Sequence, residues 1–467
     1  MSKSTGAPGP PGERNRRGTE FVMIVFALGI GIAAYAAVGL GVQGELPVTM
    51  VSYGLGLAVL AAAAHLTVRR FAPYADPLLL PAVILLNGLG LAVIHRIDLA
   101  EAEAARQFGG GPPDPLAPAQ LTWTAVGVGL FILVLILVRD HRTLQRYTYT
   151  AMVAGLALLL LPLVPGLGAT IHGARIWIQV GGFSFQPAEA AKLVLMVFFA
   201  GYLVVKRDVL ALASKRVAGI DLPRGRDLGP IVVAWILSLG VLVFERDLGT
   251  SLLFFGAFVI TLYVATERTS WLIFGVGMFL SGAFLAYAAF GHVQERVTIW
   301  LDPFSDPQGQ GYQLVQALYG LSSGGILGSG LGQGRPELVP FAASDFVIAA
   351  VGEELGLTGL MAVLLVYGFI VERGLRIAIA ARDIFGKLLA AGFAVTLALQ
   401  VFVVVGGVTK LIPLTGLTTP FLSYGGSSLV ANWALVAVLL RISDSARQPL
   451  PPPSPALDEA MTQVVRR

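Results

Sequence analysis

The chain has 467 residues, 55% of them hydrophobic and only 13% charged, and its mean hydropathy is +0.77. Soluble domains carry about 25% charged residues, so this composition excludes a soluble globular fold and specifies a polytopic membrane protein. There is no cysteine, which removes disulfides, thiolate metal sites and palmitoylation. The net charge of +4 sorts by side of the membrane and is read as topology, with no nucleic acid as partner.

In chain order, a Pro/Gly/Ser-rich cytosolic tail, residues 1–18, carries a basic cluster at Arg14, Arg16 and Arg17. The apolar run 21–42 is too long for the core of a signal peptide and shows no small-residue cleavage site, so it is expected to remain as a membrane helix. Runs of spanning length, about 17 to 25 residues, recur near 49–68, 77–95, 120–138, 147–164, 187–205, 248–265, 271–290, 346–371, 386–408 and 425–441. A shorter run lies at 229–244. The expectation is an all-α fold of about twelve transmembrane helices: two in residues 19–74, the others in a core over 75–444, then a Pro-rich cytosolic tail, 445–467.

With the N-terminus inside, most of the 32 lysines and arginines fall on the inner side, among them Arg69, Arg70, Arg139, Arg142, Arg146, Arg373, Arg376, Arg382 and Arg441. Arg96, Arg106, Arg175, Arg246, Arg296, Arg335 and Lys410 fall outside, and Lys192 lies within a helix. One crossing more or fewer would scramble this asymmetry, so residues 309–344 form a large extracytoplasmic loop. The glycine-rich run 328–334 has no Gly-Lys-Ser/Thr and no preceding strand, so it reads as a tightly turning loop and not as a phosphate-binding one. The five histidines are too scattered for a metal site.

The informative polar residues lie at the outer ends of the helices. Gly173-Ala174-Arg175 leads to Gln186-Pro187-Ala188-Glu189-Ala190-Ala191-Lys192, where Pro187 suits a first helical turn and Glu189 and Lys192 share a face. They form either a self-neutralising ion pair or part of an outer vestibule with Arg175. Glu245-Arg246-Asp247-Leu248-Gly249-Thr250 breaks an apolar stretch and places Asp247 at a helix N-terminus, where capping alone would explain it. The density of proline, glycine and hydroxyl groups between Lys410 and Ser428 cannot span lipid as regular helix; the segment must be buried in protein or line a wet cavity. There Lys410, Thr418, Ser423 and Ser427 could hold phosphate or sugar oxygens. Asp345, after Ser344, enters the mouth of the next apolar run, where a carboxylate is costly unless it is paired or working.

These motifs, in this order, together with Ser344-Asp345-Phe346, Glu353-Glu354-Leu355-Gly356 and Pro420-Phe421-Leu422-Ser423-Tyr424-Gly425-Gly426-Ser427, closely resemble the shape, elongation, division and sporulation (SEDS) family, which includes the RodA, FtsW and SpoVE types. The likeness covers roughly residues 75–444. It is nearer to the elongation type, RodA, on Asp302-Pro303-Phe304-Ser305-Asp306-Pro307 followed by Gly311-Tyr312-Gln313. The resemblance implies a ten-helix core, a peptidoglycan glycosyltransferase that polymerises lipid II, and a class B penicillin-binding protein as partner. It also implies an essential aspartate at Asp345, support from Glu189, Lys192 and Asp247, and a divalent cation, Mg or Mn, as possible cofactor with no dedicated ligand cluster here. The chain departs from the family in its two additional N-terminal helices and in Arg246, where proline is common.

Extending a glycan needs a base for the attacking sugar hydroxyl and cations for the departing lipid pyrophosphate. Asp345 is the candidate base. Arg175, Lys192, Arg246 and Lys410 are candidates for pyrophosphate, with Arg335 and Ser423 as further substrate contacts. Glu353 and Glu354 are expected to tie down helices, not to form a carboxylate dyad with Asp345. A lipid II flippase and a non-catalytic scaffold for cell-wall synthases are the alternatives; the first would need a polar path to the cytosolic face.

Overall fold

The computed structural model describes residues 16–107, 109–171, 174–180, 183–212, 214–217, 220–223, 236, 240 and 247–449. Its helices are α1 (Arg16–Gln43), α2 (Met50–Phe71), α3 (Leu79–Gln107), α4 (Leu116–Leu137), α5 (Thr148–Leu160), α6 (Pro187–Leu212), α7 (Leu248–Thr266), α8 (Ser270–Ala289), α9 (Gly291–Leu301), α10 (Tyr312–Gly324), α11 (Val347–Ala380), α12 (Ile384–Val408) and α13 (Gly426–Arg447). Among the described residues, 11 helices are long and apolar enough to cross a membrane, each matching an expected run. The remaining expected run, 229–244, lies largely outside the described residues, as do Arg246 and both distal tails.

Strand is present as well as helix. Gly168–Ile171, Ala174–Val180 and Phe183–Phe185 form a three-stranded antiparallel meander, β1-β2-β3, and Ser214–Val217 pairs with Ile220–Pro223 as the hairpin β4-β5. The alternating apolar residues of Ile176-Trp177-Ile178-Gln179-Val180 suit a pleated ribbon better than a helix.

Burial sorts the helices into layers. The apolar window of α13 is 83% buried and that of α3 78%, whereas that of α8 is 6% buried, so α3 and α13 form the interior and α8 faces outward. Trp433 on α13 is fully buried against Phe131 and Phe421, and its indole N–H donates to Asn87 on α3. Where α3 crosses the irregular segment before α13, a Cβ at Gly90 would lie 2.5 Å from the carbonyl oxygen of Leu422 and 2.7 Å from that of Phe421. Gly90→Ala should therefore lower stability by about 1–3 kcal/mol, read as a drop in the melting temperature of the purified protein.

The two N-terminal helices dock on this interior. On α1, Gly31 packs on Gly88 of α3 so closely that a Cβ would sit 3.2 Å from the Gly88 Cα, the small-residue crossing that lets membrane helices approach. Glu20 of α1 is fully buried 3.3 Å from His65 of α2. At its far end α1 meets the glycine-rich loop, where Gln333 Nε2 donates to the Gly41 carbonyl at 2.9 Å.

Helix α11 is broken at Gly356, whose φ of 67° and ψ of −171° leave helical space. The backbone groups freed there are taken up by residues 325–330. Ser329 N donates to Glu353 O, Gly330 N to Glu354 O, Leu357 N to Gly325 O and Thr358 N to Ile326 O. Only glycine fits the crossing, since a Cβ at Gly356 would lie 2.3 Å from Gly328 N. The glutamates hold the same loop by their side chains: Glu353 accepts from Arg335 N at 2.8 Å, and Glu354 accepts from Gly332 N and from Arg96 Nε at 2.6 Å. They therefore anchor a loop to helices, and the glycine-rich run completes a broken helix.

Candidate active site

A cavity of about 360 Å³ opens where α9, the start of α11, the end of α12 and residues 414–417 meet, and Asp345 lines it. The first helical cap of α11 falls on Phe346 and uses no side chain. The Asp345 carboxylate, half-buried, points at the 414–417 backbone: Gly416 has a φ of 71°, and a Cβ there would lie 3.7 Å from Oδ2.

The same backbone is held from two further sides. Arg296 on α9 donates from Nη1 to the Leu414 carbonyl at 2.7 Å. At the start of α7, a Cβ on Gly249 would lie 2.5 Å from the Thr415 carbonyl oxygen, so the glycine after Asp247-Leu248 permits a close approach that any side chain would block. Asp247 caps α7 by accepting from Thr250 N at 2.9 Å and receives Gln186 Nε2 at 3.3 Å. Asp247 is thus the N-cap of α7.

Among the described residues, Arg296 is the Lys or Arg that lines this cavity. Burial lowers its guanidinium from the ordinary value, while the negative charges of Asp247 and then of Asp345 raise it; a guanidinium remains cationic under such opposed influences. His292, Glu295, Arg296 and Ile299 all line the cavity, at the i, i+3, i+4, i+7 spacing of a single helix face.

The remaining sequence candidates fall elsewhere. Glu189 and Lys192 form a buried ion pair at 2.5 Å, and Lys192 Nζ continues to Gln400 Oε1 at 3.0 Å, whose amide donates to the Thr418 carbonyl. That chain reaches the irregular segment just beyond the cavity. Ser423 is buried and its hydroxyl accepts from Thr419 N, while Ser427 accepts from Gln186 N and Tyr424 N donates to Ala343 O. Both serines fasten the non-helical segment in place. Lys410 has a φ of 61° and lends its carbonyl to Trp300 Nε1 at 3.1 Å. Arg175, on β2, donates to the Val164 carbonyl at 3.2 Å, and Arg335 is exposed 3.3 Å from Glu337. Neither Arg175 nor Arg335 lines the cavity with Asp345.

Among the described residues there is no group of three or more His, Asp or Glu side chains able to hold a metal ion by themselves. Among the described residues, Asp345 and Glu295 are the carboxylates lining the cavity.

The Cell cycle protein family model, covering FtsW, RodA and SpoVE, matches residues 76–448. The peptidoglycan glycosyltransferase RodA of Mycobacterium tuberculosis is 52% identical over 456 residues, 97% of this chain and 96% of that protein. The stage V sporulation protein E of Bacillus subtilis is 33% identical over 384 residues, 82% of this chain and 100% of that protein. A chain of a solved peptidoglycan synthase complex that coordinates polymerization and crosslinking is 29% identical, with a TM-score of 0.62, over 80% of this chain and 99% of its own. The sporulation protein is thus spanned whole by a part of this chain, whereas the mycobacterial relative aligns over nearly all of it. With the family model matching most of the chain and a relative 52% identical over nearly all of it, the chain belongs to the FtsW/RodA/SpoVE family of cell cycle proteins.

Proposed function

We propose that the chain is a peptidoglycan glycosyltransferase of the elongation type, polymerising lipid II at the outer face of the cytoplasmic membrane with Asp345 as general base. The observation that carries this reading is the placing of Asp345 and Arg296, far apart in sequence, in one cavity that also presents backbone carbonyls and the amides of Gln310 and Gln313. The excess of basic residues at the opposite helix ends supports an extracytoplasmic side for this cavity.

In this reaction a sugar hydroxyl of one lipid-linked glycan attacks the anomeric carbon of another. Asp345 takes the hydroxyl proton as the new glycosidic bond forms, the bond from the anomeric carbon to the pyrophosphate oxygen breaks, and the configuration inverts. Arg296 supplies a fixed positive charge for the departing pyrophosphate, in the forked geometry suited to phosphate oxygens. The Lys192-Gln400 relay and the capped start of α7 keep the 414–418 backbone in register with both. A magnesium or manganese ion would be held by Asp345 and Glu295 together with substrate phosphates, its usual mode when a protein gives few ligands, and would neutralise leaving-group charge. A class B penicillin-binding protein is the proposed partner, and anionic membrane lipid the surrounding medium.

The flippase alternative needs a polar route through the bilayer. The cavity is instead backed by Phe346, Val404 and Val408, and the helices beyond are packed with Phe393, Leu397 and Trp433. Reconstitution in liposomes with the partner decides: polymer from lipid II supports the enzyme, whereas lipid II translocation without polymer contradicts it. In that assay Arg296→Gln should lower kcat by about a hundredfold to a thousandfold, the range for removing one transition-state donor. Unchanged turnover would remove Arg296 from the reaction.

A further inference from the structure

At the opposite end of the bundle lies a second cavity, of about 310 Å³, lined by Arg139, Asp140, Arg142, Arg382, Arg441, Asp444, Ser445 and Gln448. It forms where α4, α11 and α13 end, beside the helical turn His141–Tyr147. Its two carboxylates are already engaged. Asp140 caps that turn by accepting from Arg142 N at 2.9 Å, and Asp444 accepts from Tyr74 N at 2.8 Å and from Gln448 Nε2 at 2.9 Å.

The arginines are not used up in the same way. Arg441, 4% exposed, gives Nη1 and Nη2 to the carbonyls of Phe71 and Leu135 and lies 3.6 Å from the Asp444 carboxylate, but among the described residues its Nε is buried without a hydrogen-bond acceptor. Arg139, Arg142 and Arg382 are exposed around it. Arg382 reaches the Gln448 carbonyl, and Arg142 lies 3.3 Å from Asp383. That carboxylate is itself taken by His141 Nε2 at 2.8 Å and by Gly386 N at 2.7 Å. Burial raises the Asp383 carboxyl, but these hydrogen bonds and the neighbouring His141 and Arg142 outweigh it and hold the group below its ordinary value. A buried donor without an acceptor is costly, and one set among guanidinium groups calls for an anion.

We propose that this cavity binds the phosphate group of an anionic lipid of the inner leaflet. The phosphate accepts from Arg441 Nε and is clasped by the exposed arginines at the mouth. Position favours a lipid as its source, because the cavity lies where α4 and α13 leave the apolar layer, the depth of a headgroup. Beside it Ile136 and Leu137 of α4 are exposed and offer a surface to acyl chains. Bound there, the lipid braces the ends of α4, α11 and α13, whose outer halves position the catalytic cavity.

The test uses the full chain purified in neutral detergent, with lipid retention read by native mass spectrometry and stability by melting temperature. Phosphatidylglycerol, phosphatidylcholine and inorganic phosphate are added separately, to the wild type and to an Arg139→Gln, Arg382→Gln double variant. Both substitutions are at exposed positions and should leave folding intact. Selective retention of phosphatidylglycerol, with an upward melting shift and affinity reduced on the order of tenfold or more in the variant, is expected. An equal, arginine-dependent shift with inorganic phosphate alone would overturn the lipid as source. Retention equal in both proteins, or no preference over phosphatidylcholine, would overturn the site itself.

Discussion

Asp345→Asn should reduce lipid II polymerisation by about 10²- to 10⁴-fold, the usual contribution of general base catalysis, while leaving the fold intact. Asparagine keeps the size and the hydrogen-bonding shape of the side chain but cannot take the hydroxyl proton. The carboxylate is only half-buried and does not serve as the first-turn cap of α11, which falls on Phe346, so the substitution removes no helix cap. The expected signature is a fall in kcat with a melting temperature close to that of the wild type. A scaffold without catalytic activity would show no such loss, and a variant that polymerises normally would remove Asp345 as the base.

The second large effect is on stability. Lys192→Ala removes the charge paired with the buried Glu189, in a pair whose side chains are 4% and 7% exposed. Breaking a buried ion pair from one side costs about 3–5 kcal/mol, and the Gln400 side chain loses its donor as well. The purified variant should melt well below the wild type. Replacing both members, Lys192→Met with Glu189→Gln, removes the orphaned charge and should restore much of the loss. If the double variant is stable but does not polymerise, the pair acts on substrate; if it is stable and active, it serves the fold alone.

Much of this was legible from residues. The three-residue spacing of Glu189 and Lys192 put them on one face, and the ion pair follows from it. Eleven spans could be read because apolar runs of the right length announce themselves without tertiary information. Asp345 stood out because a carboxylate entering an apolar helix demands a reason. By sequence Arg296 reads only as an outer cation, since its meaning depends on α9 folding across the 414–417 backbone. The signal was local and available: His292, Glu295, Arg296 and Ile299 recur at helical spacing in a stretch too polar to span, which marks a helix with one face turned to a polar site. The glycine-rich run 328–334 could be read as a turn but not as the partner of a broken helix. That relation exists only once Gly356 leaves helical space and its freed backbone groups find residues 325–330. The positive-inside rule groups Arg441 with the other arginines at these helix ends, yet Arg441 is buried and donates to two neighbouring helix ends, which charge counting alone does not reveal.

Because the sequence contains no cysteine, Asp345→Cys introduces a single thiol, and its reaction with a membrane-impermeant maleimide in intact cells reports directly on this cavity. Labelling from outside, slowed by added lipid II, is the result this account predicts. Labelling that requires permeabilised cells, or that proceeds at the same rate with lipid II present, would contradict it.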